Sequence, residues 1–155
     1  MMQSKRLAPL LNRAQQHQDE VARDLAERQR VLATHESRLE ELRRYAEEYA
    51  NSQMSATNLA QLANRRAFLD RLESAVEQQC QTVDRNREKV EIERSRLLLA
   101  SRDKQVLEQL AASYRAQERK VDDRRSQREM DDLGARRVRI TAATAQREHS
   151  NGDGQ

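Results

Sequence analysis

Residues 7–49 read LAPLLNRAQQHQDEVARDLAERQRVLATHESRLEELRRYAEEY, and the spacing of their apolar side chains decides the fold. Steps of four and three residues, taken alternately from the first leucine, reach an apolar side chain everywhere except at Gln18, Arg28 and His35. The residues between these positions are mostly arginine, glutamate, aspartate and glutamine. A stripe with this period predicts a long helix that packs against another helix, as in a coiled coil.

A second register with the same spacing begins at Leu69 and continues to Val121. It is looser than the first because several of its positions carry polar side chains. These positions are Gln79, Asn86, Glu93, Lys104 and Glu118. Polar residues inside such a seam more often specify its register than bind a ligand, so we assign them a structural role.

The segment between the two registers, residues 50–58, reads ANSQMSATN and consists of small, mostly polar side chains. Ser55, Thr57 and Asn58 are candidate N-caps for a new helix. Two helices joined by so short a connection favour antiparallel packing. The alternative is one continuous helix in a parallel homodimer, since residues 10–133 contain no glycine or proline that would force a turn.

We therefore predict an all-α protein, an antiparallel two-helix coiled-coil hairpin whose second helix is longer and overhangs the first. Residues 1–133 form a single domain, with a helix at about 6–50, a loop at about 51–58 and a helix from about 59 to 133 or beyond. Residues 134–155 are predicted to form a frayed or disordered tail.

The predicted overhang is a candidate binding element. A turn about Met54 to Ala56 places Leu7 opposite Lys104 and leaves the chain beyond Leu107 without an intramolecular partner. That part of the chain still carries a sparse apolar stripe of the kind that packs on another surface. The predicted binding residues of this open end are Leu107, Leu110, Tyr114, Val121, Met130 and Leu133.

The composition argues against an enzyme. Charged residues make up 35% of the chain and aromatic residues 3%, a profile that does not fit a compact core with an enclosed reaction pocket. The sequence contains no glycine-rich phosphate loop, no His-Glu-x-x-His motif and no Cys-x-x-Cys motif. We expect no catalytic residue, no cofactor and no metal site.

Charge and hydropathy limit the partners and the location. The 29 basic and 26 acidic residues are largely interleaved, which is typical of solvated helix faces, so no nucleic-acid partner is expected. Cys80 is the single cysteine, which excludes an intramolecular disulfide and fits a reducing compartment. No run of about 18 apolar residues occurs, and we expect a cytoplasmic protein without membrane insertion.

Aromatic side chains cluster beside the predicted loop, where Tyr45, Tyr49 and Phe68 lie. An antiparallel turn brings the stripe with the two tyrosines next to the stripe with the phenylalanine. The resulting surface either widens the core or binds a partner, since Tyr and Phe are common interface anchors. The predicted binding residues of this tip face are Arg38, Leu42, Tyr45, Tyr49, Phe68, Leu72, Ala75 and Gln79.

Three segments of the chain resemble the FliJ family of flagellar export proteins. They are LEELRRYAEEY at 39–49, FLDRLESAVEQQ at 68–79 and QREMDDLGAR at 127–136. Their order and spacing, the leucine-rich first helix and the chain length are similar to those of the family. Arg38 and Gln79 depart from the family's pattern, in which a neutral amide and a histidine stand at these places.

The resemblance implies a stalk-like coiled coil of the flagellar type III protein export apparatus, similar to the central stalk of rotary ATPases. The implied partners are the export ATPase FliI, the export gate FlhA and export chaperones. The tip face would contact the gate and the open end would face the ATPase, at the cytoplasmic side of the inner membrane. A generic coiled-coil scaffold, a homodimeric adaptor and the equivalent stalk of a virulence type III secretion system remain alternatives.

Overall fold

The computed structural model describes residues 3–52 and 58–150, which form two helices and no strand. Helix α1 spans Gln3–Asn51 and helix α2 spans Leu59–Ser150. The two helices pack against each other as a helical hairpin, and α2 is the longer, so the predicted fold class is confirmed. The chain divides into two compact units. The first comprises Leu11–Gln105, and the second combines the residues before Leu11 with those from Val106 onward.

Within Leu11–Gln105 the predicted seams form the interface between the helices. The apolar side chains that are shielded almost completely from solvent are Val21, Leu39, Leu72, Val83, Val90 and Ala100. Of the polar seam positions in this unit, Arg28 is exposed, whereas Asn86 and Glu93 are buried. The heptad spacing therefore identifies the packed face correctly, and Arg28 is the position at which the first seam opens to water.

Polar seam residues bond across the interface or along their own helix. The Gln18 Nε2 amide donates a 3.0 Å hydrogen bond to the Ser101 hydroxyl. Asn86 Nδ2 donates to the Thr82 carbonyl at 2.8 Å, one turn earlier on α2. Because both NH2 groups find acceptors, part of the cost of desolvating these side chains is offset, although Gln18 Oε1 is buried without a hydrogen-bond partner.

The start of α2 has an N-cap at Asn58, one of the three candidates predicted from the sequence. Asn58 Oδ1 accepts a 2.9 Å hydrogen bond from the backbone amide of Gln61, the geometry of an N-cap. The other two candidates, Ser55 and Thr57, and the proposed turn at residues 54–56 lie outside the described residues. The short connection between the helices therefore ends at Asn58.

The end of α1 is held by an arginine of α2. Arg65 Nη2 donates hydrogen bonds to the carbonyl oxygens of Tyr49, Ala50 and Ser52, at 3.5, 3.1 and 2.8 Å. The last turn of α1 has no basic residue of its own. A cation at this place satisfies carbonyls that lack helical partners and lies at the negative end of the helix dipole.

The second unit shows that the two helices pair further along α2 than predicted. The Ser4 amide and hydroxyl bond to the Glu118 carboxylate, so the placement of Leu7 opposite Lys104 is wrong. Consequently α2 has a partner within the chain well beyond Leu107. The reason is that α2 begins at Leu59, and its first turns precede the residues that contact the end of α1.

The C-terminal part of α2 differs from the expected tail. Residues 119–150, here called the bare segment, are helical and exposed throughout. Gly134 lies inside the helix without a positive φ, so it does not act as a helix stop. An isolated glycine costs a helix only about 1 kcal/mol, and no proline follows it. The remainder of the predicted tail, residues 151–155, lies outside the described residues.

Candidate partner-binding surfaces

The three aromatic residues near the loop form one cluster centred on Phe68. The Phe68 ring lies 4.6 Å from the Tyr49 ring and 6.5 Å from the Tyr45 ring, measured between centroids, with interplanar angles of 60° and 84°. Both contacts are edge-on, the geometry that aromatic quadrupoles favour. Phe68 and Tyr49 are half-buried, whereas Tyr45 is 50% exposed. The cluster thus closes the core and also presents one ring to solvent.

A shallow groove runs along the tip face beside Tyr45. Its lining residues are Arg38, Glu41, Leu42, Tyr45 and Gln79. Four of them are among the predicted tip residues, and Glu41 was missed. Its position three residues after Arg38 and four before Tyr45, on the same helix face, was the available signal. The groove combines an exposed ring and an aliphatic side chain with one cation and one carboxylate.

The other predicted tip residues support this face from within. Leu72 is buried and Ala75 is half-buried, so both belong mainly to the packing between the helices. Gln79 Nε2 donates to the His35 carbonyl at 3.0 Å and lies 3.2 Å from the Nδ1 atom of the same residue. These bonds hold the Gln79 side chain at the rim of the groove.

The opposite flank of the hairpin carries a second groove that the sequence analysis did not identify. Its lining residues are Arg43, Ala46, Glu47, Glu73, Val76, Glu77 and Cys80. Arg43 Nη2 donates a 3.2 Å hydrogen bond to the Cys80 sulfur. Three carboxylates make this groove more acidic than the one on the tip face, so the two flanks differ chemically.

In the second unit, Glu118 holds the first turn of α1. Its Oε1 atom accepts from the Ser4 amide at 3.1 Å and its Oε2 atom accepts from the Ser4 hydroxyl at 2.6 Å. These bonds from the hydroxyl and the amide lower the pKa of Glu118. The first turn of α1 has no acidic residue of its own, so Glu118 supplies the negative charge that a helix N-terminus favours.

The predicted residues of the open end fall into two groups. Three of them precede the bare segment and are partly shielded from solvent: Leu107 and Tyr114 are half-buried, and Leu110 is 40% exposed. Val121, Met130 and Leu133 are exposed on the bare segment. Two further exposed aliphatic residues, Val138 and Ile140, were missed because a frayed tail was expected there.

Charge is unevenly distributed along the bare segment. Up to Asp132 its cations and anions alternate, with local contacts such as Arg125 to Glu129 at 3.4 Å. Between Asp132 and Glu148 the charged residues are all arginines: Arg136, Arg137, Arg139 and Arg147. This end of α2 is therefore locally basic, although the whole chain has a net charge of only +3.

The described residues contain neither a metal-binding cluster nor a membrane-spanning stretch. Residues 3–52 and 58–150 contain no group of three or more His, Cys, Asp or Glu side chains that could hold a metal ion. In the same ranges, neither helix contains a stretch that is apolar enough, over a sufficient length, to span a membrane.

Comparison with protein families assigns the chain. The family model described as flagellar FliJ protein matches residues 3–141, which include α1, the tip face and α2 as far as residue 141. The chain belongs to the FliJ family. Comparison of this FliJ-family chain with curated proteins and with solved structures found no match.

Membership confirms the resemblance seen in the sequence. As a member of the FliJ family the chain is a flagellar export-related protein, and the family is a non-enzymatic component of export. The matched residues end at 141, inside the bare segment. All the predicted tip residues and all the predicted open-end residues of this FliJ-family chain lie within the match.

Proposed function

We propose that this protein is a stalk-like coiled coil of the flagellar type III export apparatus that binds the export ATPase FliI and the export gate FlhA. In this role it works by contact alone, at the cytoplasmic face of the inner membrane. It also assists the delivery of export chaperones and their substrates. The family description names the flagellar system, which favours this reading over a virulence secretion stalk.

The gate-binding part of the proposal depends on the tip face. Tyr45 is a half-exposed ring whose edge is fixed by Phe68, so it can enter a partner's pocket without first losing much freedom. Arg38 and Glu41 line the same groove and can form the polar rim of an interface. An aromatic anchor with a charged rim is the arrangement that commonly dominates binding energy.

Binding of the purified chain to the cytoplasmic part of FlhA tests this assignment. We expect Tyr45→Ala to weaken binding about tenfold or more, because it removes the exposed anchor. Arg38→Ala should weaken binding less, and Arg43→Ala on the opposite flank is its matched control. Equal losses of FlhA binding in Arg38→Ala and Arg43→Ala would show that the gate contacts a different surface of the chain.

Phe68 is a poor probe of this contact because it also packs against Tyr49. A Phe68→Ala variant would therefore change folding and binding together. Circular dichroism distinguishes the effects, since Tyr45→Ala should retain the helicity of the parent chain. A loss of helicity in Tyr45→Ala would show that this ring belongs to the core and would remove the assignment.

The ATPase-binding part of the proposal depends on the bare segment. Val121, Met130 and Leu133 are helical, exposed and without a partner helix in the second unit. Aliphatic side chains on a preformed helix can be buried by another protein at little ordering cost. The arginines that follow them add attraction to an acidic surface.

Turnover of FliI at low enzyme concentration tests this part. The parent chain should promote assembly of the ATPase and raise its turnover, whereas the double variant Met130→Asp and Leu133→Asp should do so at about tenfold higher concentration. Leu59→Asp, at an 85% exposed leucine near the tip, is the control and should behave like the parent. An inactive parent chain would contradict the stalk role.

A further inference from the structure

The outer face of α2 in the unit Leu11–Gln105 carries an apolar stripe that neither proposed partner uses. Ile92 and Leu99 are 59% and 57% exposed, and Leu98 beside them is 55% exposed. Ile92 and Leu99 are separated by one heptad, with the small side chain of Ser95 between them, so all three lie on one face of the helix. This stripe is here called the outer face.

Charged residues border the outer face in an order that complements itself. At 100° per residue, Lys89 and Asp103 lie along one edge of the stripe, and Glu91 and Arg102 lie along the other. Each edge thus has a cation at one end and an anion at the other. In an antiparallel pair of identical helices the same edges face each other, so each cation meets the anion of the second copy.

We propose that the outer face of α2 between residues 88 and 103 binds a second copy of this chain in an antiparallel, two-fold symmetric contact. With the two-fold axis near Arg96, Lys89 faces Asp103 of the second copy and Glu91 faces Arg102 of the second copy. In the same register Ile92 packs against Leu99 of the second copy, and Leu99 packs against its Ile92. The apolar and the charged pairs therefore agree on the register to within one residue.

Two further charges of this stretch, Arg96 and Glu91, are paired within their own helix. Arg96 lies near the axis, where it approaches Arg96 of the second copy. Within its own helix it is paired with Glu93 at 3.0 Å. Glu91 accepts from Arg94 at 2.7 Å, and its carboxylate has the capacity to accept Arg102 of the second copy as well. Ser95, near the axis, allows the two backbones to approach closely.

The contact is small, and its strength follows from its size. One face of about four helical turns buries less area than the roughly 1,200–2,000 Å² of a stable complex. The dimer should therefore form at high protein concentration and dissociate on dilution. It does not depend on the gate or the ATPase, because the tip face and the bare segment are not part of it.

Analytical ultracentrifugation of the full chain tests the contact. The mass should rise with concentration from 18.1 kDa toward twice that value. Leu99→Glu should remain monomeric, and circular dichroism should show unchanged helicity because Leu99 is exposed. Val138→Glu, at a similarly exposed residue of the bare segment, is the matched control and should dimerise. A parent chain that stays at 18.1 kDa, or loss of dimer in the control, would overturn the proposal.

Charge exchange tests the register. Asp103→Lys places two like charges opposite each other twice in the symmetric pair and should weaken association about tenfold. Adding Lys89→Asp to that variant restores both pairs and should recover the parent's association. If the double variant associates as weakly as the single one, the antiparallel register is wrong.

Disulfide formation tests the direction. In a Cys80→Ser background, Ser95→Cys lies near the axis and should form an intermolecular disulfide under mild oxidation. Leu99→Cys should not, since an axis near Arg96 separates the two copies of this residue by about 9 Å along the helix, beyond the span of a disulfide. A parallel contact would cross-link both variants, and this outcome would refute the proposal.

Discussion

Two parts of α2 are equally helical but are stabilised in different ways. In the hairpin, Val83 and Val90 are shielded almost completely by α1, whereas every residue of the bare segment is exposed. The hydrogen bonds of the bare segment are local, such as those of the Thr141 and Thr144 hydroxyls to backbone carbonyls one turn earlier. The bare segment thus has only local interactions and helix propensity to stabilise it, whereas packing against α1 stabilises the earlier part of α2.

The largest expected difference between the two parts concerns a buried and an exposed valine. Val83→Asp places an unpaired charge in the seam and should lower the free energy of unfolding by about 3–5 kcal/mol. Val138→Asp is the control, and its effect should stay within about 0.5 kcal/mol. Urea denaturation followed by circular dichroism measures both. Similar losses in the two variants would show that the bare segment has a packing partner in solution.

A smaller effect is expected at the end of α1. Arg65→Ala removes the donor to three carbonyl oxygens and should lower the free energy of unfolding by about 1 kcal/mol. Amide exchange near Ala50 should become faster, since the last turn of α1 loses its cap. The neighbouring exposed Arg66 provides the control, and Arg66→Ala should leave both measurements unchanged. If Arg65→Ala also leaves the free energy of unfolding and amide exchange unchanged, water replaces the guanidinium without loss of stability.

The smallest effect on global stability is expected at Gly134. Open space surrounds the position of a Cβ atom there, so Gly134→Ala should favour the local helix by about 1 kcal/mol. The urea midpoint of the hairpin should not move, because the bare segment does not take part in its packing. Ala135→Gly is the reverse control and should speed amide exchange in the same stretch. A shift of the urea midpoint in either variant would show that the stability of the hairpin depends on the bare segment.

The candidate tip site was predictable in part. Tyr45, Tyr49 and Phe68 stand beside the loop in the sequence, and any antiparallel turn brings them together. Tyr49 lies on the first heptad seam, whereas Tyr45 and Phe68 lie beside the seams, so the spacing predicts that these two rings are partly exposed. The extent to which each ring is exposed depends on the rotation of each helix about its axis. The second heptad register places Leu72 in the seam, where it is buried, but the sequence did not indicate that Glu41 lines the groove.

The sequence by itself determined that this protein is helical and which faces of its helices are packed. The heptad spacing from Leu7 and from Leu69 contains this information because the helical period is a local property of the chain. The tertiary structure alone decided the register, through the contacts of Arg65 with the end of α1 and of Glu118 with Ser4. A heptad seam repeats every seven residues and tolerates several alignments, so contacts between distant residues are needed to select one.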